Sequence, residues 1–219
     1  MSARDNILAR IRAARGIRGP MLDAERAEIA ADIAARRAGP SLGWDDEPVA
    51  RFRAKAEALS TTLDAVATFE AVPAAAARYL KAGSLPLTAV VWRSLLELDW
   101  AGAGMTVVAR AARGDDLVGI TGAFCAIAET GTLMTLSGAE RPPSVSLVPE
   151  THIAVLPAAR IVRTMEDAWA LLRAERPQNT LPRAVNFISG PSRTADIEQT
   201  LVLGAHGPYR VHVLVIGNG

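Results

Sequence analysis

Val211-His212-Val213-Leu214-Val215-Ile216 is a near-continuous apolar run close to the end of a 219-residue chain. A strand with one face in water alternates apolar and polar side chains. A run written like this one fits a strand covered on both faces, the usual state of an interior strand in a parallel sheet. The runs that precede it read alike. His152–Leu156, Leu87-Thr88-Ala89-Val90-Val91, Met105-Thr106-Val107-Val108 and Ala184-Val185-Asn186-Phe187-Ile188 are short, β-branched and apolar, and residues 62–67 can form one more strand.

Helical patterns fall between these strands. A helix is expected from about Pro48 to residue 60, with Phe52 and Leu59 inward, and an Ala-rich helix over residues 70–82, ended by Gly83. A short helical turn is expected around Leu95–Leu98, a helix over residues 165–175 with Thr164 as its N-cap, and a helix near 195–201. Strands alternating with helices at this spacing argue for βαβ units. The expected fold class is therefore α/β, an open and mostly parallel sheet flanked by helices. Ala126 to Leu136 interrupts the rhythm and reads as strand, tight turn at Glu129-Thr130-Gly131, strand.

The first forty residues differ in character. Ile7, Leu8 and Ile11 recur at helical spacing over residues 4–15 behind a Ser2/Asp5 start signal, and Leu22, Ile29 and Ile33 do so over residues 22–38. Gly16, Gly19 and Pro20 separate the two, and Gly39-Pro40-Ser41 with Gly43 ends the second. Residues 1–43 are expected to be a helical arm and residues 44–219 an α/β domain. The arm is rich in arginine (Arg4, Arg10, Arg12, Arg15, Arg18), which reads as a solvated basic helix face or as a docking arm for an acidic partner.

Composition narrows the function classes. Twenty-four Lys and Arg against 23 Asp and Glu leave a net charge of +1, without the basic excess of a nucleic-acid binder. A single cysteine, Cys125, permits neither an internal disulfide nor an iron–sulfur cluster held by this chain alone, and it reads as a small buried residue. The N-terminus lacks an apolar signal region and no apolar stretch approaches membrane length, so a soluble, cytoplasmic protein without a membrane span is expected.

Three stretches can carry chemistry. Ser189-Gly190-Pro191-Ser192-Arg193-Thr194-Ala195-Asp196-Ile197-Glu198 follows an expected strand and would open a helix. Backbone N–H groups at a helix start, hydroxyls and an arginine make an anion site. Alternatively, Ser192 or Thr194 simply caps the helix, with Asp196 and Glu198 in its first turn, where they would repel an anion they faced. In Glu129-Thr130-Gly131-Thr132, a carboxylate in a glycine turn between apolar strands can act as base or nucleophile, or can be a surface turn acid. In Gly204-Ala205-His206-Gly207-Pro208, His206 can bind a ligand or move a proton, or can merely belong to a loop. His152 and His212 read as structural histidines, and no spacing matches a metal site, a phosphate loop or a dinucleotide fingerprint.

Gly119-Ile120-Thr121-Gly122-Ala123, followed by Ala126 through Thr132, resembles the central signature of the lactate-utilisation (LUD) domain. Ser189 through Glu198, then Gly204 through Pro208, resembles its C-terminal signature, and Asn6-Ile7-Leu8-Ala9-Arg10-Ile11-Arg12 looks like the start of the LutC/YkgG branch. The resemblance implies a fold similar to the NagB/RpiA/CoA-transferase group. It also implies a role beside iron–sulfur partner proteins in oxidising L-lactate to pyruvate, and the first reading of this chain is an accessory subunit with no cofactor of its own, the clusters being expected in the partners. The arm would be the partner contact. A different reading within the same resemblance is an enzyme acting on an organic acid, thioester or phosphate. Its catalytic group would be Glu129, with Thr130, Gly131, Thr132, Ser189, Gly190, Ser192, Arg193, Thr194, His206 and Gly207 around the ligand. CoA-transferases place a glutamate nucleophile in a comparable turn, but this chain has Thr130 where they commonly have Asn. A third reading is an organic-acid sensor that binds without turnover.

Overall fold

The computed structural model describes residues 2–16, 21–40, 43–176, 180–195, 201–204 and 206–217. Backbone contacts divide the chain into two units, Met1–Trp44 and Asp45–Gly219. The first contains α1 (Ala3–Ala14) and α2 (Asp23–Ala35). Ser2 caps α1 in a reciprocal box with Asp5, so two orphan N–H groups are satisfied by a serine and an acid three residues apart.

The second unit begins with α3 (Pro48–Ala58), whose proline occupies the first turn, where no N–H is missed. There follow β1 (Thr62–Val66), α4 (Val72–Ala82), β2 (Thr88–Val91), β3 (Thr106–Ala109), β4 (Val118–Gly122), β5 (Cys125–Ile127), β6 (Thr132–Leu136) and α5 (Ser144–Leu147). The chain continues through β7 (Thr151–Pro157), β8 (Ile161–Val162), α6 (Met165–Glu175), β9 (Val185–Ile188), β10 (Arg193–Ala195), β11 (Leu201–Leu203) and β12 (Arg210–Ile216).

Six strands form one sheet in the order β1-β12-β7-β4-β2-β3, and every pairing is parallel. The expected parallel α/β sheet is thus present, with the Val211–Ile216 run between β1 and β7. On one face, Ile120, Ile153, Val155 and Leu214 pack against Val72, Ala76 and Leu80 of α4. On the other, α5 lies across β4 at Gly119. A Cβ on Gly119 would fall 2.0 Å from the carbonyl oxygen of Val145. This is why the strand reads Val-Gly-Ile-Thr-Gly, and why the sequence pattern, poor in large apolar residues, did not single it out as a strand.

The sequence did not separate a second sheet from the first. The chain turns back after β4 and after β7, and β8, β5, β6 and β9 form a four-stranded sheet in that order. Cys125, Ile127, Met134 and Leu136 pack against Ala168 and Leu172 of α6, which Thr164 caps as expected. The alternate residues Ala126, Leu133 and Thr135 are buried too, so this sheet is covered on both faces. Val185–Ile188 is a strand, but it belongs here, antiparallel to β6.

The helix expected near 195–201 falls mostly on residues 196–200, and the segments on either side of them are strands. Arg193–Ala195 and Leu201–Leu203 are strands paired antiparallel, and residues 196–200 lie outside the described residues. Cross-strand pairing of Thr194 with Val202 prevails over the capping pattern that Ser192 and Thr194 present locally.

Candidate functional site

The two signature segments meet at the C-terminal half of α3. The turn between β5 and β6 is held by Ala128 N–H on the Val162 carbonyl (2.8 Å), Glu129 N–H on the Arg163 carbonyl (3.0 Å) and Gly131 N–H on the Ile127 carbonyl (3.0 Å). Gly131 has φ +66°, and a Cβ there would lie 2.5 Å from the backbone nitrogen of Ala56. Only glycine allows both the left-handed turn and the close passage of α3. Thr130 and Thr132 hydroxyls are hydrogen-bonded at 2.7 Å, and the Thr132 hydroxyl meets that of Ser189 at 2.7 Å. This chain of hydroxyls joins the first signature to the second across the antiparallel pair of β6 and β9.

The second signature then runs along the end of α3. Gly190, φ +84°, would place a Cβ 2.4 Å from the Leu59 carbonyl oxygen. Arg193 Nη2 donates to that same oxygen at 3.4 Å and to the Ser60 hydroxyl. A guanidinium bonded to a carbonyl at a helix C-terminus satisfies an orphan acceptor and the negative end of the dipole. The N–H of Ser192 donates to the Pro208 carbonyl at 2.7 Å and the N–H of Gly204 to the Ser192 carbonyl at 2.9 Å. Gly207 lies against the Ser192 side chain, where its missing Cβ would be 3.4 Å from that of Ser192.

Thr130, Gly131, Thr132, Ser189, Gly190 and Arg193 therefore gather around α3. Ser192 and Gly207 form a neighbouring contact ahead of β12. Thr194 sits in β10, and not at a helix cap. Glu129 is half-buried, Thr130 and His206 are exposed, and among the described residues the Glu129 carboxylate forms no ion pair. Ser192 does not open a helix at Arg193, because Arg193–Ala195 is a strand, and residues 196–200 lie outside the described residues. The loop follows the carboxyl end of β9, but β9 belongs to the small sheet. Ser192 and Arg193 reach Pro208 and Ser60, which precede β12 and β1. The Thr130–Thr132 and Ser189–Arg193 segments thus lie at the amino ends of the parallel strands, opposite the end where open α/β sheets usually bind ligands.

The remaining reactive groups are buried. Burial pushes the Cys125 thiol up to about 12 and makes it inert as a nucleophile. His152 Nε2 meets the Thr121 hydroxyl at 2.8 Å, and His212 Nδ1 meets the Thr62 hydroxyl at 2.8 Å beneath a stacked Tyr79 ring at 3.8 Å. Their other ring nitrogens, His152 Nδ1 and His212 Nε2, are buried and meet no hydrogen-bonding group among the described residues. Burial holds both rings down at about 4. They fit the structural role read from their positions in strands. No helix of the described residues is long and apolar enough to cross a membrane.

The family model described as the LUD domain matches residues 49–216. Lactate utilization protein C of Halalkalibacterium halodurans is 39% identical over 131 residues, covering 59% of this chain and 56% of that protein. Its counterpart from Bacillus subtilis is 35% identical over 138 residues, with 58% and 57% covered. The one from Shouchella clausii is 41% identical over 99 residues, with 45% and 43% covered. The chain spans about half the length of these curated relatives. A crystal structure of a DUF162 family protein from Deinococcus radiodurans superposes with a TM-score of 0.58 at 22% identity, covering 78% of this chain and 96% of that one, and shows a shared fold.

Proposed function

Because this chain belongs to the LUD domain family, we propose that it serves in the use of lactate, as an accessory component of a system that oxidises L-lactate to pyruvate together with iron–sulfur partner proteins. The names of the relatives support the metabolic role. The accessory part rests on how the signature residues are bonded. Gly131 and Gly190 pack against the backbone of α3, the Thr130, Thr132 and Ser189 hydroxyls bond one another, and Arg193 is tied to Leu59 and Ser60. They hold a scaffold together. The clusters belong in the partners, since one buried cysteine is too few thiolates for a cluster.

A second reading, an enzyme acting on an organic acid, thioester or phosphate, is favoured by the convergence of Thr130, Thr132, Ser189 and Arg193 at one end of α3, on the side of the half-buried Glu129. Glu129→Gln separates the two. Assayed in the assembled system, an accessory role leaves lactate oxidation within about twofold of wild type. A general base or nucleophile loses on the order of 100-fold or more.

The arm supplies the partner contact in this reading. Its exposed Ile7, Ile11, Ile29 and Ile33 sit among arginines, a surface for an acidic partner with apolar spots. A variant lacking residues 1–43 is expected to keep the cooperative unfolding of the remaining body and to lose its partners in affinity purification. Retained partners, or a body that no longer folds, would count against the arm.

A further inference from the structure

The opposite end of the parallel sheet carries a cleft whose lining includes no residue of either signature. Ser137, Gly138, Ala139, Pro143, Arg183 and Ala184 enclose about 540 Å³ there. Its loop is built onto the carboxyl ends of β2 and β4. Arg93 N–H donates to the Glu140 carbonyl at 3.4 Å, the Trp92 indole N–H to the Pro142 carbonyl at 3.2 Å, and Phe124 N–H to the Met134 carbonyl at 2.8 Å, just before Ser137. Gly138 and Arg141 exchange backbone bonds at 3.2 and 3.0 Å, closing a tight turn. Ala184 N–H donates to the Ser137 hydroxyl at 2.8 Å, which leaves that hydroxyl's own proton to donate.

The charges at this cleft form no ion pairs among the described residues. Arg141 is half-buried, with its guanidinium against Gly138, where a Cβ would stand 3.4 Å from Nε. Arg183 lines the cleft and Arg93 is exposed beside it. Among the described residues none of these three arginines forms an ion pair, and Glu140 at the turn is the carboxylate beside them. A guanidinium's paired N–H donors match a carboxylate or phosphate. In open α/β sheets ligands bind at the carboxyl ends of the strands, and a cleft of this volume falls within the range of small-molecule sites, roughly 300–1,000 Å³.

We propose that this cleft binds an organic anion with more than one oxyanion group, phosphate or carboxylate, larger than lactate. Arg183 from the lining and Arg141 from beside Gly138 hold its oxyanions, the Ser137 hydroxyl donates to it, and Ala139, Pro143 and Ala184 supply the apolar lining. The inference does not depend on the lactate role or on Glu129.

The test is calorimetric titration of the full chain with ADP, pyrophosphate, citrate and L-lactate. At least one of the first three is expected to bind more tightly than lactate. Arg141→Ala and Arg183→Ala are each expected to weaken it by about tenfold or more. Arg141→Lys should restore part of the loss, and Arg78→Ala, a remote exposed arginine paired with Asp64, should change nothing. No binding of the three anions at roughly 10 mM, or binding unchanged in the Arg141→Ala/Arg183→Ala double variant, overturns the proposal.

Discussion

Gly119→Ala is expected to lower stability by about 3–5 kcal/mol and the melting temperature by roughly 10 °C. The added methyl would stand 2.0 Å from the Val145 carbonyl oxygen and 2.9 Å from Pro149 Cγ. The nearer obstacle is backbone, so no side-chain rotation relieves it. Either α5 lifts from the sheet or β4 shifts between its parallel neighbours β2 and β7. Lifting α5 also opens the contact of Val145 with Val90 and Trp92. Gly114→Ala is the control: nothing lies within 4 Å of its missing Cβ, and its effect should stay within about 0.5 kcal/mol. Urea unfolding of both variants checks the difference. Equal midpoints would mean that α5 does not lie on β4 as described.

Acid should destabilise the fold well before its carboxylates protonate. His152 and His212 are neutral in the folded chain, because burial holds each at about 4 against an ordinary value of 6.5. The unfolded chain takes up a proton on each ring near pH 6.5. Between those values the unfolded state binds more protons, so stability falls as pH falls. The stabilisation is complete above about pH 6.5 and lost progressively toward pH 4. At pH 5 each histidine accounts for about 2 kcal/mol of that loss, as an order of magnitude. Urea midpoints at pH 7.5 and pH 5 are therefore expected to differ markedly in the wild type, and by less in His152→Gln, which removes one of the two titrations. The same pH dependence in the variant would show that His152 is not the group being protonated.

Much of the architecture was legible in the chain itself. Continuous apolar runs such as Val211–Ile216 declare burial on both faces, and the Ser2/Asp5 and Thr164/Asp167 pairs declare helix starts, because those signals are local. What escaped depends on partners distant in sequence. β4 is a central strand made of small residues, and its glycine makes sense only once α5 is laid over it. Ala184–Ile188 announces a strand but not the sheet it joins, since periodicity specifies faces and not neighbours. Ser192 and Thr194 carry a local capping pattern, and only the pairing with Leu201–Leu203 shows that Arg193–Ala195 is a strand.

The candidate site was legible in the same partial way. The grouping of Thr130, Thr132 and Ser189 follows from two glycine turns at adjacent strand ends. The bonding of Arg193 to the end of α3 spans more than a hundred residues of sequence and leaves no local trace. Arg141 and Arg183 carry no motif at all. Their significance comes from forming no ion pair among the described residues beside a cleft at the carboxyl end of a sheet whose strand order no pattern reveals.

The central claim is the role in lactate use, and disrupting the gene for this chain in the cells that carry it tests that most directly. Growth of the disrupted strain on L-lactate as carbon source, its growth on pyruvate, and the lactate oxidation rate of its extracts are measured together. Loss of growth and oxidation on lactate, restored by the intact gene, with growth on pyruvate unchanged, is the predicted result. Undiminished growth on lactate and undiminished lactate oxidation in the extracts would contradict it.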